Sequence, residues 1–475
     1  LAGLSDTEIL LPASAIKWLI SQPDSVLSAD EPHRDVLQAD ITFPMPYVVQ
    51  NPVHHETITR DLTRQLGNLT TDIMEELTAS FDEIWGTDRA EWREVCPYST
   101  LQQIVARTSN RVFVGLPACR DRALLDHGIG FATAIPLSAI ILRPIPALLR
   151  PLAALVIARP NIYHTKSFTR IIRPEIERRL KRLQSQGGDV EKKGGEAEPN
   201  DFLQWSIHRA LESPDAAELA PEIISGRLLA VNFAAIHTST FTITNAVFDL
   251  VASDPSLEYI DQLRDEAASV LANDDGVWTK SGLAKMYKTD STLRESSRLG
   301  SFQGTGLVRK VISPAGITAP NGTFCPYGTN ISVPTNSIHE DPALYADPAT
   351  FQPFRFSSQR VPLDQAPTEK DKEGMPSVDV PPATSAKGEE YIKKANLSFV
   401  SVSPTYHPFG YGRHACPGRF FAANELKLLL AYMVLNYDFE MLDKRPESKC
   451  VGTNIVPPMT ATIKIRRRGT ASASE

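Results

Sequence analysis

The sequence predicts a mainly α fold with a small β portion, built as one domain over residues 1–475. Three observations carry this. Apolar residues recur at three- and four-residue steps through most of the chain before residue 300, the period of helices with one buried face. One stretch, residues 221–252, is low in charge through its middle (LLAVNFAAIHTSTFTITNAVFDLVA), so it is apolar all round and belongs at the centre of the protein. Strand-like segments come only after residue 305. The length of 475 residues suggests about three domains as a prior, but large helical enzymes exceed it, and 42% hydrophobic residues suffice for one large core.

Residues 1–60 are proline-rich and mixed. Residues 9–20 fit a helix, and Phe43-Pro-Met-Pro46 and Asn51-Pro52 mark loops. Residues 54–85 put Leu62, Leu66, Leu69, Ile73 and Leu77 on one helical face. A helix over 99–114 is closed by Gly115 and Pro117. Residues 128–142, followed by RPIPALLRPLAALVIA, come nearest to a membrane span. Pro136, Pro144, Pro146 and Pro151, with Arg143 and Arg150, interrupt them, so a pair of buried or surface-packed helices is the expectation. Residues 161–186 form a charged helix with RPEIERRLKRLQ on its wet face. Residues 187–200 (GGDVEKKGGEAEPN) read as a flexible linker. Asp201 is placed to cap the helix FLQWSIHRALE.

Beyond the central helix, residues 257–271 and 283–299 are helical. Residues 306–312, 323–325 and 331–333 are strand-like, with turns at Asn321-Gly322 and Tyr327-Gly328. Residues 357–394 read as a long flexible loop, and 460–465 as a last β segment. Residues 469–475 read as a disordered tail. No internal repeat stands out.

The net charge of −7 carries no nucleic-acid signature. Five scattered cysteines (Cys96, Cys119, Cys325, Cys416, Cys450) include no CxxC pair. This argues against a disulfide framework or zinc ribbon and fits a reducing compartment. In such a compartment the N-x-S/T sequons at Asn68, Asn321, Asn330 and Asn396 are chance matches. The sequence opens at Leu1 without a methionine, and a removed N-terminal segment, such as a membrane anchor, is the expectation.

Chemistry concentrates in HPFGYGRHACPGRFFAANELKLLL, from His407. Phe409, Gly410 and Gly412 lead into Cys416, Pro417 and Gly418, and an apolar helix follows. Glycines let the loop fold tightly against a flat ligand. Pro417 suits a helix start. The helix N-terminus favours negative charge on sulfur, so Cys416 reads as an anionic ligand on a rigid loop. Glu295 and Arg298 share one helix face, and Arg355, between aromatics in Phe351-Gln-Pro-Phe-Arg-Phe356, can join them in a buried network. A lone ExxR is otherwise an exposed pair worth little. In the central helix, Thr238 can bond the carbonyl of Ala234 and open the helix locally. Ala234 and Ala235 leave room for a ligand. The plain alternative is a set of self-satisfied hydroxyls and a core histidine at His237.

Together these pieces resemble the cytochrome P450 family. Phe409, Gly412, His414, Cys416 and Gly418 match its haem-loop pattern. Glu295–Arg298 matches its ExxR helix, and Pro353-Phe354-Arg355-Phe356 its PxRF segment. NRVFVGLPACR from Asn110, NDFLQW from Asn200, FAAIHTST from Phe233 and KTDSTLRESSRL from Lys288 are similar to fungal secondary-metabolism members. The resemblance implies haem b with Cys416 as axial thiolate, as the family is known to use. It implies Phe409 beside the sulfur, with Gly410 in the same loop, and His414 and Arg309 at the propionates. His55 and Arg60 stand near the places of a further Trp and Arg, with Arg60 one residue out of register.

On the opposite face Thr238 keeps the family's oxygen-activating hydroxyl, with Ala234 beside the cofactor. His237 replaces the usual acid, either as a changed proton relay or as a histidine that touches substrate or points away. The implied activity is monooxygenation of a hydrophobic natural product, terpenoid or alkaloid, using O2 and electrons from NADPH through cytochrome P450 reductase. The pocket would be lined by residues 233–241 (Phe233, Phe241), 302–307 (Phe302, Gly304), 453–456 (Ile455) and 43–53. The family implies a monomer on the cytosolic face of the endoplasmic reticulum membrane. Oxidative coupling or cyclisation would use the same oxidant. A reductase-independent isomerase or dehydratase, a non-catalytic haem protein, and a cysteine hydrolase using Cys416 with His414 or His407 are the rivals.

Overall fold

The computed structural model describes residues 8–186, 198–360 and 397–469. The expected loops 187–200 and 357–394 and the tail 469–475 fall almost wholly outside the described residues. At their edges, Ser357–Gln359 forms one 3-10 turn.

The central element is the helix Pro221–Val251. Pro221 starts it without sacrificing a hydrogen bond, because the first N–H of a helix has no partner in any case. At 1.5 Å per residue it is roughly 46 Å long. Among the described residues, the helices Pro97–Phe113, Arg122–Leu142, Arg159–Gln186, Tyr287–Leu299 and Arg419–Asn436 pack most extensively around it. Thr238 donates to the Ala234 carbonyl at 2.7 Å as expected, but the helix runs unbroken. The hydroxyl bond is added to the backbone ladder and does not replace it.

The long N-terminal helix Thr63–Ile84 buries Leu66, Leu69, Ile73 and Leu77, and continues a π-helical turn, Thr57–Leu62, that buries Leu62. Asp201 caps Phe202–Glu212 by accepting from the Gln204 N–H at 2.8 Å. The helix expected over 9–20 is corrected. Glu8–Leu10 is a strand, and helix begins only at Ala13–Ala15 and Ile16–Ser21, because Pro12 lacks the N–H to continue a helix through it.

A four-stranded sheet runs Glu8–Leu10, Asn330–Val333, Gly306–Val311, Leu27–Ser28. Its first pair is parallel and the others antiparallel. A second sheet joins Arg93–Val95, Ile463–Arg467 and Tyr437–Phe439. Lys449–Val451 pairs with Asn454–Val456.

For residues 128–158 the expectation is buried or surface-packed helices, and both kinds occur. Arg122–Leu142 is half-buried against the central helix. The next helix, Arg150–Ile157, lies on the surface with apolar side chains outward (Leu152 68% exposed, Leu155 66%, Val156 64%), as does Leu148, 95% exposed, in the 3-10 turn Ala147–Leu149 before it. Prolines at 144, 146 and 151 break the chain there but do nothing to bury it.

Candidate active site

The cysteine loop is closed by its own backbone. The Gly410 N–H donates to the His407 carbonyl, and the Cys416 N–H reaches back to the Phe409 carbonyl at 2.7 Å. Gly410 and Gly412 have φ of +73° and +78°, which a side chain would strain. The helix Arg419–Asn436 starts with Gly418 as its cap, so Pro417 precedes the helix rather than opening it. The N–H groups of Gly418 and Arg419 face the Cys416 sulfur. Burial nevertheless pushes the Cys416 thiol up, and outweighs those N–H groups and the Arg419 charge. Burial and the helix terminus thus act on this sulfur in opposite directions.

Glu295 is fully buried. It accepts from Arg298 Nε and Nη2 at 2.8 Å, from Arg355 Nε at 2.9 Å and from the Gln352 N–H at 3.2 Å. Arg298 also donates to the carbonyls of His339 and Pro348. His339 continues the chain of bonds. Its Nδ1–H donates to the Arg298 carbonyl, and its Nε2 accepts the His407 N–H at 3.2 Å. Burial pushes its imidazole down to about 3, so it stays neutral in this role. The ExxR network is thus bonded to the first residue of the cysteine loop. Arg294, one residue before Glu295, lies over the rings of Tyr406 (3.6 Å) and Phe356 (4.6 Å) and binds the carbonyls of Ser398 and Ser401.

On the central helix, Ala234 and Thr238 are exposed one turn apart, although most of that helix is buried. His237 bonds Gln102 and Thr133, each at 3.2 Å, and has Tyr98 at 3.5 Å. Burial holds its imidazole below the usual range. The expected pocket residues are partly gathered. Phe241 and Phe302 have ring centroids 5.4 Å apart. The Ile455 N–H donates to the Phe302 carbonyl and the Gly304 N–H to the Thr453 carbonyl, both at 2.8 Å. A side chain at Gly304 would meet Thr453 O at 2.7 Å, so this approach requires glycine. Phe233 stands apart from them, against Phe43 and through it Phe131.

A profile of the cytochrome P450 family matches residues 50–465. The chain belongs to the cytochrome P450 family. It is 35% identical over 469 residues to the cytochrome P450 monooxygenase gloP of Glarea lozoyensis, covering 97% of this chain and 81% of that one. It is 31% identical to astC of Aspergillus terreus, over 97% and 82% of the two chains. Among solved structures, retinoic acid-bound cyanobacterial CYP120A1 matches with a TM-score of 0.61 at 17% identity, over 97% of this chain and 89% of that one, which shows the P450 fold. The enzyme is a P450 monooxygenase, and the family implies haem.

The residues of this P450 fit that group. Cys416 is a half-buried thiol that a bound cation would favour as thiolate. Ala234 and Thr238 present a small, uncovered helix face. Arg309 is only 5% exposed, yet its guanidinium donates only to the Val308 carbonyl among described residues, so it suits a carboxylate such as a propionate. Other placements differ from expectation. His414 Nε2 lies 2.8 Å from Asp24, which Arg413 also binds, so that nitrogen is engaged by the protein. His55 and Arg60 are exposed, and the only ion pair of Arg60 among described residues is Glu56 at 3.9 Å; no hydrogen bond ties either residue to the cysteine loop. His54 is the buried one, beside Arg227.

Sequence reading missed His339, Tyr98, Gln102 and Thr133, which belong to no motif, and Arg294, which lies within KTDSTLRESSRL but was given no role. It also missed Glu425. This carboxyl is fully buried, accepts from Ser109 at 2.7 Å and faces Ser239; burial pushes it up to about 8. A lone acid before the run KLLLAYMV was the available signal.

Proposed function

We propose that this monooxygenase uses O2 and NADPH-derived electrons, delivered by cytochrome P450 reductase, to oxidise a hydrophobic natural product of the terpenoid or alkaloid class in fungal secondary metabolism. The observation that carries it is the closed Cys416 loop bonded through His407 and His339 to the buried Glu295–Arg298–Arg355 network. That arrangement holds one sulfur rigidly, where it could ligate a metal. Bound haem b supplies oxygen activation and the oxidation itself. The protein supplies position, shape and protons. Cys416 would hold the iron, with Phe409, Gly410 and Gly418 shaping the loop around it. Arg309 would take one propionate. For His414, only the ring nitrogen not engaged by Asp24 is available to the other.

Thr238 would hold a water that delivers a proton on the oxygen side. Its own hydrogen bond to Ala234 leaves both oxygen lone pairs as acceptors. His237 can join such a relay only by exchanging the proton it holds, because both ring nitrogens are engaged. Phe241, Phe302 and Ile455 would form one wall of the substrate pocket, and Phe233 with Phe43 another.

The outward apolar face of Arg150–Ile157 supports contact with the cytosolic face of the endoplasmic reticulum membrane. A monomer docking reductase on the Cys416 side completes the reading. The test is the reduced, CO-bound spectrum together with NADPH- and reductase-dependent turnover. A thiolate-type Soret shift that Cys416→Ser abolishes is expected. A protein without that shift refutes the haem-thiolate reading, and turnover without reductant would favour an isomerase.

A further inference from the structure

The cluster around His237 has a donor and acceptor balance that can be worked out completely. Thr133 donates its hydroxyl proton to the Ile129 carbonyl at 2.9 Å, so toward His237 it only accepts. His237 Nε2 therefore carries the hydrogen, and Nδ1 is an acceptor. The nearer donor to Nδ1 is the Gln102 side-chain nitrogen at 3.2 Å, which also donates to the Tyr98 hydroxyl oxygen at 3.2 Å; the Tyr98 hydroxyl, with its own proton free to turn the same way, lies 3.5 Å from Nδ1. Both hydrogens of that amide are spent. Its orientation is fixed, and Gln102 Oε1 is left with no hydrogen-bond partner among the described residues.

This group is not sealed in the core. Gln102 and His237 are half-buried, and Thr133 and Thr238 are exposed. Beside it the rings of Tyr98, Phe241 and Phe302 follow one another, with centroids 5.9 and 5.4 Å apart, which gives an apolar wall. None of the bonded partners of His237 is ionised.

We propose that Gln102 Oε1 is a specificity-determining acceptor for a hydroxyl group on an otherwise apolar, uncharged substrate, with His237 and Thr133 as its positioning residues. This rests on the monooxygenase reading above and narrows its substrate class. An ether or ketone offers only lone pairs to Oε1 and is not matched. A protonated amine finds no carboxylate in the cluster to offset its desolvation.

The test is spectral titration of the haem-loaded enzyme with cedrol, a sesquiterpene alcohol, and with cedrane, the same skeleton without the hydroxyl. The wild type is expected to bind cedrol about two- to tenfold more tightly, the range of one neutral hydrogen bond. Gln102→Leu removes that preference and leaves cedrane binding unchanged. His237→Asn keeps it, because its amide oxygen still accepts from Gln102, whereas His237→Leu loses it. Equal affinities in the wild type, no spectral response to either compound, or a preference surviving Gln102→Leu would overturn the proposal. The CO spectrum is recorded on the same samples. A normal thiolate band with equal affinities overturns the subsite alone; a missing band overturns the monooxygenase reading and the subsite with it.

Discussion

Replacing Glu295 by alanine leaves two guanidinium groups without their counter-charge in the interior. The side chains of Arg298 and Arg355 are 0% and 8% exposed, so water cannot take the place of the carboxylate. Arg298 keeps its bonds to the His339 and Pro348 carbonyls, and Arg355 keeps those to Ala346, Asp347 and Thr350. The cost is therefore mainly that of uncompensated buried charge, about 3–5 kcal/mol. That is a large fraction of the roughly 5–15 kcal/mol that holds a folded protein together. Glu295→Gln still accepts hydrogen bonds but carries no charge, and falls between wild type and alanine. The assay is urea unfolding of the haem-loaded enzyme, followed by tryptophan fluorescence and by Soret absorbance. Both signals should be lost at lower urea in Glu295→Ala. A variant within about 1 kcal/mol of wild type that retains full haem content would refute the reasoning.

Three further outcomes follow from other parts of the molecule. Glu425 is held protonated in the fold up to about pH 8, against an ordinary value of 4.5, so the folded state binds the extra proton. Its contribution to stability is full below pH 4.5 and is lost as pH rises toward 8, at about 1.4 kcal/mol per pH unit. Glu425→Gln should flatten that decline in urea midpoints measured across this window; an unchanged slope sinks the assignment. Thr238→Val should leave haem incorporation and substrate-induced spectra intact while product formed per NADPH consumed drops about tenfold or more, and full coupling would count against Thr238 as proton holder. Leu152→Glu with Leu155→Glu should weaken sedimentation with phospholipid vesicles without changing the CO spectrum, since both side chains already face outward; unchanged sedimentation removes that face from the membrane reading.

The long helices were legible because their periodicity is local: Leu66, Leu69, Ile73 and Leu77 announce one buried face whatever surrounds them. The four-residue core of the site (Glu295, Arg298, Arg355, Cys416) was legible because each sits in a motif with fixed spacing. Short strands such as Glu8–Leu10 were not, since a three-residue strand acquires its identity from its partner, here Asn330–Val333, more than 300 positions away. The same holds for His339 and Gln102. Nothing near them in sequence is unusual; their roles come from where the fold sets them, against His407 and His237. His414, Pro417, His55 and Arg60 show the converse. A residue can occupy or border a motif position while its side chain is engaged elsewhere, as His414 is by Asp24, or lies exposed, as His55 and Arg60 do, or stands before the helix it was expected to open, as Pro417 does.

The bond from the His407 amide to His339, and from His339 to Arg298, spans 68 and then 41 positions of chain. The cradle for the cofactor therefore cannot reach its final shape from nearby sequence, however many glycines it holds. It waits for three distant segments to meet. Haem uptake in this enzyme is then a report on assembly: a chain that captures the cofactor tightly has already brought its middle and its C-terminal third into register, and a misassembled one fails to hold it. Colour would mark a correctly built molecule before any substrate is offered.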